Sequence, residues 1–142
     1  MATGLKTLIK LNAWGVDQKR RKLGEIVRLI DTLQTEARNL EEELIREQQA
    51  ATASPAEAGF GYGNYAAAVI VRRQRIDSSI AKAEAEAEIV RDELAEAYRV
   101  LKKFERVQAN RLAEAKKEKA RKDQIGLDEI GLQGYVRQRS ER

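Results

Sequence analysis

Apolar side chains recur along this chain in steps of four and three, in two long stretches separated by one turn-rich break. The first series runs Leu5, Ile9, Asn12, Val16, Lys19, Leu23, Ile26, Ile30, Leu33, Ala37, Leu40 and Leu44, with Asn12 and Lys19 as its polar members. The second runs Val69, Arg73, Ile76, Ile80, Ala83, Ala87, Val90, Leu94, Ala97, Leu101, Phe104, Gln108, Arg111 and Ala115, interrupted by Arg73, Gln108 and Arg111. A repeat averaging about 3.5 residues keeps one narrow stripe on the same side of an α-helix. Two helices that bury such stripes against each other wind into a left-handed coiled coil. The pattern predicts an all-α chain, a long antiparallel two-helix coiled-coil hairpin.

Local signals place its boundaries. Helix one is expected over residues 3–50, with Thr3 as a capping side chain. The loop is expected over 51–64, because Pro55 lacks an amide hydrogen and Gly59, Gly61 and Gly63 are free to leave helical backbone angles. Phe60, Tyr62 and Tyr65 interleave with those glycines and are expected to pack on one another rather than on a partner. Asn64 caps helix two, which is expected over 65–124, and Gly126, Gly131 and Gly134 then predict a frayed tail over 125–142. The whole chain reads as a single domain. Gly15 and Gly24 inside helix one each cost roughly 1 kcal/mol relative to alanine.

One short connection between two long helices implies an antiparallel pair. With the loop centred near Glu57, the numbers of facing residues total about 114. Leu44 then sits beside Ile70, Leu33 near Ile80, Leu23 near Val90 and Ile9 near Phe104, with the firmest packing between Leu23–Leu33 and Ile80–Leu94. Past Leu112 the second helix has no facing residue left in the first, so a C-terminal helical overhang is expected. A lone helix gains nothing from tertiary packing and is marginal in water. An overhang of this kind is either floppy or built to be held by something else.

Composition narrows the function classes. Charged residues make up 35% of the 142 positions and aromatics 5%, enough to bury a stripe but not to wrap a globular centre. There is no cysteine and no histidine, which removes disulfides, thiolate metal sites and the commonest general base and metal ligand. No catalytic residue, cofactor or metal is expected. The longest apolar run, Ala66 to Val71, falls far short of the roughly 20 residues of a membrane helix. Without a recognisable secretory signal, a cytoplasmic location is the default expectation. The net charge of +4 is uneven: from Arg99 to Arg142 thirteen Lys and Arg stand against seven Asp and Glu, while from Ala51 to Tyr98 five stand against eight. The basic end suits an acidic protein, a nucleic acid or an anionic surface, although a solvated helix face is the simpler account and nucleic acid is not expected.

Candidate chemistry is sparse. Gly59, Gly61 and Gly63 have the spacing of a phosphate loop but no preceding strand and no Lys-Ser/Thr after them. Glu41, Glu42 and Glu43, and Glu84, Glu86 and Glu88, point around the helix rather than converging, as do Lys19, Arg20, Arg21 and Lys22. Asn12 and Lys19 are polar seam positions of the type that fixes register. Arg73 is expected to extend its head outward over a packed stem. Trp14 and Tyr98 fall at one level of the hairpin and are expected to pack along its flank.

The decad Arg121, Lys122, Asp123, Gln124, Ile125, Gly126, Leu127, Asp128, Glu129, Ile130 resembles the C-terminal signature of the flagellar export protein FliJ family, a basic pair, an acid and Gln followed by Leu-Asp-Glu and an apolar residue. The opening Leu5-Lys6-Thr7-Leu8-Ile9-Lys10-Leu11, followed by Trp14, Val16, Asp17 and Lys19-Arg20-Arg21, is similar to members of the same family. Injectisome stalk proteins are related. The resemblance implies an antiparallel coiled coil like the central stalk of rotary ATPases. It implies a non-enzymatic protein that binds and activates the hexameric export ATPase, contacts the cytoplasmic region of the export gate membrane protein and cycles export chaperones. Its location would be peripheral, at the cytoplasmic face of the inner membrane at the flagellar base. By the same resemblance the ATPase-binding residues are Lys10, Trp14, Lys19, Arg20, Arg21, Arg121, Gln124, Asp128 and Glu129. The gate-binding residues are Val69, Arg73, Ile76 and Ile80, although Arg73 replaces an apolar residue of the family pattern and these positions also belong to the seam. A generic coiled-coil scaffold and a basic nucleic-acid binder are the competing readings. Affinity for DNA that falls steeply with salt marks the second of these.

Overall fold

The computed structural model describes the backbone of residues 2–58 and 61–141, and the side chains of 4–56 and 61–141. Three helices follow in order: α1 (Ala2–Ala53), α2 (Pro55–Ala58) and α3 (Gly61–Ser140). No strand occurs among the described residues. The two long helices pack on each other as an antiparallel hairpin, as the heptads require.

The predicted seam is the observed one. From Leu5 to Leu44 every member of the first series is buried or half-buried. In the second series Val69, Ile76, Ala83, Ala87, Val90 and Leu101 are buried, while Arg73, Arg111 and Ala115 are exposed. By its internal contacts the chain divides into two compact units, Trp14–Tyr98 and Met1–Ala13 with Arg99–Arg142.

Two apolar clusters hold the Trp14–Tyr98 unit. Ile26 packs with Ala83, Ala87 and Val90, flanked by Leu23 and Ile30. The alanines are small enough to let Ile26 reach the facing backbone, and Ala87 and Val90 are each only 1% exposed. This is the stretch in which the firmest packing is expected. Nearer the loop, Leu40 packs with Val69 and Ile76, bordered by Leu33, Ala37, Leu44, Tyr65 and Ile80. The ion pairs Lys19–Glu93 and Glu41–Arg73 (4.0 Å) both connect the two helices. Each lies within two residues of the register that the loop position implies.

In the other unit Leu101 is buried, and Leu5, Ile9, Phe104, Val107 and Gln108 are half-buried. From Ala109 to Glu141 every described side chain is exposed, and only Gly126 is half-buried. Pairing therefore stops close to the expected Leu112. The helix does not. It continues from Ala109 to Ser140, about 48 Å at ~1.5 Å per residue, where a frayed tail from 125 onward is expected. Gly126, Gly131 and Gly134 are separated by helix-forming neighbours, and no proline interrupts them. None of the described glycines has a positive φ.

The loop is also shorter than expected. The amide of Ser54 donates to the Ala50 carbonyl at 3.1 Å, which closes the last turn of α1 at Ala53. Pro55 then opens α2 at the first helical position, where its missing amide hydrogen costs nothing. α3 begins at Gly61, ahead of the expected cap Asn64, which lies inside the helix. The Thr3 capping side chain, the loop-centre side chain of Glu57, and Gly59 and Phe60 lie outside the described residues. The expected aromatic self-packing is seen for Tyr62 and Tyr65, whose ring centroids are 6.5 Å apart.

Candidate functional site

The overhanging part of α3 carries four of the residues singled out in the sequence. Arg121, Gln124 and Asp128 are three and four residues apart, a spacing that places them on one helix face. Intrahelical hydrogen bonds order that face. Arg121 donates to Glu118 through Nη2 (2.7 Å) and Nε (3.2 Å), a bidentate pair, and Gln124 Nε2 donates to Asp128 Oδ1 at 3.0 Å. The hydrogen bond to Glu118 raises the Arg121 pKa above its ordinary value, with desolvation acting the other way. Glu129 is exposed but turned about 100° from Asp128, on a flank of the patch. The result is an aligned row of cation, amide and carboxylate on an exposed helix, suited to recognition. Among the described residues no group of His, Cys, Asp or Glu converges to hold a metal ion.

Sequence reasoning missed the apolar side chains on the same segment. Leu127, Ile130, Leu132, Tyr135 and Val136 are 58–67% exposed, and Ile125 is 51% exposed. A signal was available in the density of large apolar residues after Ile125, which a frayed tail does not need.

On α1, Lys10 is exposed. In the Trp14–Tyr98 unit Trp14 is 62% exposed, so its indole is presented to solvent and the expected flank packing fails. The reason is angular: Val16 and Lys19 take the seam, and Trp14 falls outside the stripe that the facing helix covers. Tyr98 is also exposed, at 43%. Arg21, seven residues after Trp14, shares its face, and both Arg20 and Arg21 are exposed. Lys19 is half-buried, and its Nζ donates to Glu93 Oε2 of the facing helix. That hydrogen bond, followed by the Lys19 charge, lowers the Glu93 pKa below its usual carboxylate range. Asn12, the other polar seam residue, is satisfied within its own helix by donating to the Leu8 carbonyl at 2.7 Å.

The four expected gate-binding residues do lie together, on the seam. Val69 and Ile76 are each 6% exposed inside the loop-side cluster, and Ile80 packs against it. Arg73 alone among them is exposed, reaching Glu41 as its expected outward extension requires.

No helix among the described residues is long and apolar enough to cross a membrane. The family model described as "Flagellar FliJ protein" matches residues 1–140. No curated protein and no solved structure matches the chain. A match over almost the entire length, on a chain whose two long helices pack against each other, makes this chain a member of the FliJ family, components of the flagellar protein export apparatus.

Proposed function

We propose that this protein is the central stalk and activator of the hexameric export ATPase. The observation that carries the reading is the exposed continuation of α3 from Ala109 to Ser140, a helix with no covering partner among the described residues. A ring of subunits can surround such a helix from all sides. The excess of Lys and Arg over Asp and Glu after Arg99 favours an acidic lining. Arg121, Gln124, Asp128 and Glu129 are the contacts on this helix, and Lys10, Trp14, Arg20 and Arg21 those on α1. Lys19 joins them only by leaving Glu93.

In the same reading the protein contacts the export gate membrane protein through the Val69–Ile80 stretch. Arg73 is its accessible member, since Val69, Ile76 and Ile80 are covered by α1. It also exchanges with export chaperones, and its partners hold it at the cytoplasmic face of the inner membrane.

The decisive assay adds purified protein to the cognate export ATPase. Hydrolysis rises at substoichiometric amounts, and deleting residues 121–142 abolishes the rise while the remaining hairpin keeps its helicity. Unchanged hydrolysis with full-length protein overturns the reading.

A further inference from the structure

An open groove of about 480 Å³ lies where the end of α1 meets the start of α3, lined by Glu47, Ser54, Gly61, Tyr62 and Tyr65. A second groove, lined by Gln48, Thr52 and Pro55, shares Tyr62, so this ring stands between two open surfaces. The Tyr62 and Tyr65 rings, tilted at 39° to each other, both line the groove. The Tyr65 hydroxyl is shielded from solvent. Burial, then the charges of Glu43 and Glu47, push its pKa above 10.0. Of these two carboxylates, Glu47 lines the groove itself. The surrounding sequence has the same sign: from Glu43 to Val71, which faces it, there are three glutamates and one arginine, in a chain that is basic as a whole.

Aromatic faces next to carboxylates are the chemistry that holds an ammonium or a guanidinium group. Arginine fits better than lysine, because its planar head stacks on a ring while its edge donates to a carboxylate. An anionic or purely apolar occupant leaves the acidic excess unpaired. From the two tyrosine rings, the adjoining Glu47 carboxylate and the local negative charge, we infer that this groove docks an arginine-bearing basic segment of a partner polypeptide. The inference concerns the loop end of the hairpin and does not depend on the ATPase reading.

A hexa-arginine peptide titrated into the isotope-labelled full chain tests it. Shifts are expected to saturate and to concentrate at the Tyr62 and Tyr65 rings and at the amides of residues 43–65, while hexa-glutamate leaves them in place. Glu84, Glu86 and Glu88 form an internal control, an exposed acidic stretch with no aromatic neighbour. Glu47→Gln and Tyr62→Leu are each expected to weaken binding about threefold, the order that an exposed cation–π or charge contact provides. Glu47 is on the surface, so its variant keeps the test open even if the Tyr62 change disturbs the loop. Equal shifts at Glu84–Glu88, or identical affinity in the Glu47 variant, would overturn the assignment.

Discussion

Lys19 stands where the heptad asks for an apolar side chain, and Glu93 of the facing helix explains why it is tolerated. The pair is exposed enough that its net contribution is small, but it ties one register to one charge arrangement. Its pH dependence has a definite sign. The folded-state pKa of Glu93 is depressed, so its stabilisation is present above the unfolded value and is lost as pH falls through the folded one. Melting followed by circular dichroism between about pH 5 and pH 3 should show this loss. Lys19→Met should flatten that part of the profile, and an identical profile would show that the pair does not hold the helices in register. Packing matters more than charge at Ile26. Cutting Ile26 to alanine inside the Ala83–Ala87–Val90 cluster should cost about 2–5 kcal/mol in chemical denaturation. Glutamine at the exposed Glu84 should stay within ~0.5 kcal/mol.

Among the elements, α3 departs furthest from expectation. Three glycines within a dozen residues argue for an ending, yet the helix runs to Ser140. A Cβ built at Gly131 meets nothing within 4 Å, so the glycine makes no close approach and only weakens helix propensity. Gly131→Ala should raise the helical signal of the overhang by about 1 kcal/mol of local stability. Hydrogen exchange of the amides around residue 131 is the direct measurement, and slower exchange is the expected result. Gly15 and Gly24 behave alike: the nearest atom to a new Cβ is Arg28 Nη1, at 4.0 Å from Gly24, so these glycines are tolerated rather than required. In the loop Pro55 marks a boundary as expected, but the boundary is narrow. Proline disrupts only the turn before it and can itself start a helix, which is how α2 follows Ser54 directly.

For the molecule as a whole, periodicity was enough to read the hairpin, its register and the end of pairing near Leu112, four residues past the last covered side chain, Gln108. All three follow from which way each Cβ points and from how many residues each helix has, and both are local properties written in the order of residues. The family resemblance was legible in the order of residues as well, and the family match over residues 1–140 agrees with it. Exposure was not legible, because it depends on what stands opposite. Trp14 and Tyr98 are bare because the facing helix passes over one stripe and not the next. Lys19 is engaged because Glu93 arrives at its level. The apolar side chains from Ile125 to Val136 are dense in the sequence, but that they stand exposed on a helix follows only from α3 remaining helical where no facing helix covers it. The heptads alone dictated which helices pair and how. Packing dictated which of the remaining side chains are left for partners, since burial belongs to two surfaces meeting and no single stretch of chain encodes both.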